Sequence, residues 1–243
     1  MEDKKKKKFI VDDQFWRLFP EAQIDTLTLR GIDNHDKARD HAYFQQLLDE
    51  AARESEQFMT EGIFRKNPVV DQWRQAYRQF KTKKGARSSI EALLKRVDQG
   101  RSFSPIFPLV DIYNSISLRY GVPAGGEDLN AIQGNLHLGE AKGGEDFFPH
   151  GAEENSPALP GEVIYYDDQG AVCRCFNWRE AQRTELTEST TDSVLVIESI
   201  NAEQAKRADE AIEALHQLCK ERFKVPGHIQ KVTRDNREIQ LIK

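Results

Sequence analysis

No stretch of this 243-residue chain approaches the roughly 20 consecutive apolar residues that a bilayer-spanning helix requires. The opening "MEDKKKKKFIVDDQFW" also lacks the apolar segment of a secretory signal, because it returns to acids within a few residues of its lysines. The expectation is a cytosolic chain that makes no membrane contact. Cysteine is scarce and odd in number: Cys173, Cys175 and Cys219, two of them one residue apart, do not make a disulfide framework. There is no Cys-x-x-Cys or His-x-x-x-His pair to start a metal site, no Gly-x-x-x-x-Gly-Lys loop, no nucleophile elbow and no internal repeat. With only 15 Gly and 9 Pro beside 38% hydrophobic and 31% charged residues, fibrous and disordered classes are excluded in favour of a globular one.

The net charge of −5 disfavours a general polyanion binder, yet the charge is uneven. Arg74 to Arg101 carries nine Lys or Arg against Glu91 and Asp98, whereas Glu140 to Asp168 carries eight acids against Lys142. Such a basic surface beside an acidic one can steer a phosphate or an RNA end, although charge runs also serve as solvated helix faces.

Residues 1–10, with lysine at positions 4 to 8, read as a flexible basic arm, and 11–243 as one domain. Ile24, Leu27 and Leu29 alternate as in a strand. Residues 36–100 are helical: Phe44, Leu47, Leu48, Ala51 and Phe58 form one stripe, and Val69, Val70, Trp73, Ala76 and Tyr77 a second. A third helix starts at Ser88, whose partner Glu91 predicts a capping box, and stops at Gly100. The basic turn Lys81 to Arg87 precedes that helix, where amide groups favour anions; an ordinary exposed connection fits equally well. "GNLHLGEA", "GEVIYYDD", "AVCRCFNW" and "SVLVIESI" read as strands, the middle two joined at "DDQG". In 201–243, Asn201 and Gln204 cap a long helix, and a final hairpin turns at Asp235-Asn236. The class is α+β.

"PLVDIYNSISLRYGVPAGGEDL", residues 108 to 129, is a helix with a polar middle running into a glycine-rich acidic loop. A core-forming segment needs none of those polar groups; a segment that binds something polar does. Val110, Asp111 and Asn114, then Gly121 and Pro123, Asp128 and Leu129, "NLHLGEA", Gly144 and Glu145, "GEVIYYDD" and "TELTESTTDSVLVIES" follow in order. That order resembles the B3/B4 editing domain of the bacterial phenylalanyl-tRNA synthetase beta subunit and its stand-alone relatives, most strongly over 87–198. The resemblance implies an α+β domain with a mixed or antiparallel sheet and flanking helices. It also implies a hydrolase that removes a wrongly attached amino acid from tRNA in trans, as a second sieve. The implied partner is the aminoacylated 3′ end of tRNA, with no DNA, membrane, metal or cofactor.

Carried over to this chain, the resemblance gives Asn114, Glu127 and Asp128 as catalytic candidates. Asp111, Pro123, Gly125, Gly126, Arg174, Asn177, Trp178, Arg179 and Thr184 become substrate-binding candidates. The basic 81–96 segment, by its charge and not by the resemblance, adds Lys81, Lys83, Lys84, Arg87, Lys95 and Arg96 as tRNA-binding candidates. Two departures stand out. The synthetase pattern has histidine where this chain has Gly125, and its Ala-Gly-x-Met-Gly-Gly run is replaced by "CRCFNWREAQRT". Arg174, Asn177, Trp178 and Arg179 thus fall where the family keeps room, which favours a smaller or more polar aminoacyl group than tyrosine. Two rival readings are a binding module that has lost hydrolysis and a hydrolase of small amino-acid esters or amides.

Overall fold

Alternation of apolar side chains drives the strands of this protein into two facing sheets, as a computed structural model describing residues 6–242 shows. β1 (Lys7–Val11), β4 (Leu136–Glu140), β5 (Val163–Tyr166), β6 (Ala171–Arg174), β7 (Arg179–Glu180) and β10 (Glu238–Ile242) form a mixed sheet in the order β10-β1-β4-β5-β6-β7. Its β1–β4 pair is parallel and the others are antiparallel. The second sheet, order β3-β8-β2-β9, is antiparallel and joins β3 (Ala124–Asp128), β8 (Asp192–Ser199), β2 (Gln23–Arg30) and β9 (Gly227–Thr233).

The period of two along β8 divides the molecule. Val194 and Val196 belong to the core between the sheets, together with Phe9, Leu136, Tyr165 and Phe176. Leu195 and Ile197 point the other way, into a second core under α5 (Pro108–Tyr120) and α6 (Ala202–Phe223), which contribute Ile112, Ile116, Ile212 and Leu215. α1 (Asp13–Leu18), α2 (His41–Ser55), α3 (Pro68–Ala76) and α4 (Ser89–Asp98) complete the α+β arrangement. No helix among the described residues is long and apolar enough to cross a membrane.

Several local expectations meet tertiary competition. The Asn201 carboxamide accepts from Gln204 N at 2.9 Å and so caps α6 as its sequence suggests. At α4 the capping box does not form, because the Glu91 carboxylate takes the Arg74 guanidinium at 2.6 and 3.0 Å instead. Of the basic arm, residues 1–5 lie outside the described residues, while Lys7 to Ile10 are in β1 between β4 and β10. The final segment is not a hairpin: β9 pairs with β2 and β10 with β1, so the turn at 233–236 carries the chain from one sheet to the other.

Residues 124–128, expected as loop, are a strand in spite of two adjacent glycines. Gly126 sits opposite Leu195, and a Cβ there would lie 2.4 Å from Leu195 Cδ2 and 3.2 Å from Leu186 Cδ1. Glycine is what lets β3 approach this closely. Gly126→Ala should therefore cost about 1–3 kcal/mol by overpacking, measured as a lower urea midpoint at unchanged slope.

Candidate functional site

Because Gly125 and Glu127 pair with Val196 and Val194, they share the face that looks across to the mixed sheet. The gap there is a cavity of about 280 Å³. Leu136, Tyr165 and Cys173 wall it on the mixed-sheet side, and Ser89, Ala92 and Leu93 of α4 with Tyr113 and Asn114 of α5 close its sides. Asn177 to Glu180 form a rim.

That rim depends on a turn that sequence statistics disfavour. Cys175 and Phe176 both have positive φ, 48° and 66°. Holding non-glycine residues there costs on the order of 1–3 kcal/mol each. The offset is packing: the fully buried Phe176 ring lies 5.3 Å from Phe15, 5.5 Å from Trp73 and 5.9 Å from Phe19. The reversal then presents Asn177, whose carboxamide oxygen accepts from Tyr77 Oη at 3.0 Å and Ser89 N at 3.3 Å. The Arg179 guanidinium stacks 4.7 Å above the Trp178 ring.

Three carboxyl groups, Glu127, Glu180 and Glu198, enter this largely apolar space. Burial raises each of them. Glu198 is pushed up to about 8, with the Tyr165 hydroxyl, which donates to its Oε1 at 3.0 Å, working the other way. Glu180 rises to about 7, and Glu127 lies well above the usual carboxylate range, raised by burial and then by Glu180. The Oε2 atoms of Glu127 and Glu198, the Asn177 Nδ2 and the Ser89 Oγ are buried without a hydrogen-bond partner. Such a concentration of unmet polar atoms is costly, and a polar ligand would satisfy it. A thiolate nucleophile is disfavoured, since burial holds Cys173 well above the ordinary thiol range and Cys175 at about 11.

Of the sequence candidates, Asn114, Gly125, Gly126, Glu127, Asn177, Trp178 and Arg179 come together around the cavity. Asp128 braces the strand end, accepting from Thr190 Oγ1 and Asn130 N at 2.8 Å each. Asp111 accepts from Ile106 N at 2.9 Å at the start of α5, and the Pro123 carbonyl accepts from Glu198 N. Thr184 is buried beside Glu127. The Arg174 guanidinium is enclosed by Glu162 and the Ser156 carbonyl. Lys83 reaches Ser156 and its amide donates to Cys175 Sγ, so the 81–87 loop abuts the turn at the rim. Lys81 N donates to the Gly161 carbonyl, and Lys84 and Arg87 belong to the same loop, which leads to Ser89. Lys95 and Arg96 sit at the opposite end of α4, bound to Asp98 and the Ser102 carbonyl. Glu198, Glu180, Tyr113 and Tyr165 escape sequence reasoning. Only Glu198 leaves a signal there, as an acid two residues beyond the inward-facing Val196.

The model of the B3/4 domain matches residues 72–232, two thirds of the sequence and all of the cavity lining. The chain belongs to the B3/4 domain family. Among solved structures, an N-terminal fragment of the phenylalanyl-tRNA synthetase beta-subunit from Pyrococcus horikoshii superposes with a TM-score of 0.50 at 12% identity. The match covers 97% of this chain and 54% of that one, so this B3/4 protein spans about half the fragment's length, and the likeness is one of fold. No curated protein matches the chain.

Proposed function

We propose that the protein is a trans-acting deacylase that hydrolyses the ester of a mischarged tRNA. The observation that carries this reading is the inter-sheet cavity, with apolar walls and inward carboxyl groups whose buried oxygens lack partners. Leu93, Leu136 and Val196 receive the aminoacyl side chain. Glu127 accepts the α-ammonium group through its unpartnered Oε2; the arriving cation favours the charged form and releases the proton that burial otherwise retains. Asn114 faces the ester and orients water.

An aminoacyl ester is activated by its neighbouring ribose hydroxyl. Positioning and fixed dipoles therefore provide much of the rate without a covalent nucleophile, metal or cofactor. Trp178 with its stacked Arg179 offers a platform for the terminal adenine at the rim. The loop bearing Lys81, Lys83, Lys84 and Arg87 receives acceptor-stem phosphates.

Incubation of the purified protein with a panel of mischarged tRNAs should release free amino acid from at least one. Retention of tRNA without turnover on any member would identify a binding module instead. Equal turnover of small aminoacyl esters, with Lys83, Lys84 and Arg87 replaceable at no loss, would mean a small-ester hydrolase.

A further inference from the structure

Glu180 stands where two cavities meet. Beyond the inner cavity lies a second one, of about 540 Å³, lined by Ile106, Phe107, Val110, His150, Glu185 and Leu186 among others. Tyr113, Arg179 and Glu180 line both. Exposure follows the same axis: Glu198 and Tyr165 are buried, Glu180 is half-buried and Arg179 is exposed.

The space around the Glu180 carboxyl is made by what faces it. A Cβ at position 125 would lie 3.3 Å from Glu180 Oε1, so only the bare backbone of Gly125 lets that carboxyl lie against β3, where the Gly126 backbone amide favours its charged form and water can approach only from the cavity side. Titratable groups face it from every side, and its charge raises each of them: Glu127 of β3, Glu198 of β8, Tyr113 of α5 and Cys173 of β6. On the outer side, Glu185 raises Glu180 and His150 opposes that rise. The His150 imidazole holds Glu185 Oε2 through Nδ1 at 2.7 Å and is otherwise open to solvent.

We propose that Glu180 is the general base of the deacylation, with the ester at the junction, the aminoacyl group in the inner cavity and the ribose in the outer one. This rests on the deacylase reading above. The attacking water bonds through its oxygen to the ester carbonyl carbon as one of its protons moves to Glu180. The bond from that carbon to the ribose oxygen then breaks, and Glu180 returns the proton to the departing oxygen. The products are a free amino acid, whose carboxyl group ionises into solvent, and a free ribose hydroxyl. Nothing is oxidised or reduced, and Glu180 ends as the carboxylate. A base that ionises near 7 has a pKa suited to neutral conditions.

The test compares wild type, Glu180→Gln and Gly125→Ala on the mischarged tRNA that wild type cleaves best, from about pH 5.5 to about 8.5, with circular dichroism melts alongside. Glu180→Gln should lower kcat about 100-fold or more with KM within about 3-fold, and should abolish the rise of kcat centred near 7. Gly125→Ala, by crowding the carboxylate, should lower kcat roughly 10-fold. A Glu180→Gln protein that keeps kcat within about 3-fold and keeps that rise overturns the assignment. Should its melting transition be lost, Glu180→Asp replaces it: a retracted carboxylate lowers kcat but preserves the ionisation, and unchanged kcat overturns the assignment. Wild-type inertness on the whole panel sinks the deacylase reading and the base with it. Wild-type turnover that ignores position 180 sinks the base alone.

Discussion

Arg174→Ala lowers the unfolding free energy by about 3–5 kcal/mol, because it strands a buried carboxylate. Arg174 is 1% exposed and Glu162 is 0% exposed. The guanidinium donates from Nε to Glu162 Oε2 at 2.8 Å, from Nη2 to Oε1 and from Nη1 to the Ser156 carbonyl. It also lies 5.6 Å over the Phe147 ring. Each ion pays a desolvation cost that only the other's charge and geometry offset, so truncating one partner costs more than the pair contributes. Chemical denaturation at neutral pH measures the loss. The double replacement of Arg174 by Met and Glu162 by Leu should restore most of it, since it leaves no unpaired charge. A double variant as unstable as the single would mean that packing, not the ion pair, dominates there.

Arg174 also shows where sequence stops being legible. Its position near Asn177 and Arg179 suggested a ligand contact, but nothing local reveals that Glu162 lies across the hairpin to enclose it. Features written in a local pattern were readable: the alternation of β2, the continuous apolar run of β8, the stripe of α6 and its Asn201 cap. Features decided by distant partners were not. The lysine-rich β1 has poor strand composition and is held by β4 and β10, more than a hundred residues away. β3 is a strand because glycine permits close approach to Leu195, a requirement that composition alone reads as loop. The candidate site divides in the same way. Residues 125–127 and 177–179 were nominated by where they fall against the family pattern, Gly125 and 177–179 as departures from it, whereas Glu180 acquires its place from a two-residue strand with no periodicity to detect. The left-handed turn at Phe176 is likewise the outcome of an aromatic cluster assembled from α1, α3 and β5.

Glu198→Gln stabilises the protein at alkaline pH while leaving acid-side stability nearly unchanged. In the native state burial lifts Glu198 from 4.5 to about 8, so the folded protein retains a proton that the unfolded chain releases. A raised acid of this kind contributes its full stability below 4.5 and loses it progressively as pH rises to about 8. For this group the loss is on the order of 5 kcal/mol. Glutamine reproduces the neutral form: its amide oxygen still accepts from the Tyr165 hydroxyl, and it has no proton to lose. Glu127 and Glu180 impose the same kind of slope on both proteins, and because Glu180 also raises Glu198, the difference between the two pH curves reports position 198 together with that repulsion. Urea unfolding of wild type and variant should therefore agree at about pH 4 and diverge up to about pH 8, with the variant on top by nearly that amount. Curves that stay parallel over this range would mean that Glu198 titrates alike in the folded and unfolded states. A cationic ligand that fills the cavity should shrink the divergence, because it stabilises the ionised carboxylate of the wild type and has no such partner in the amide.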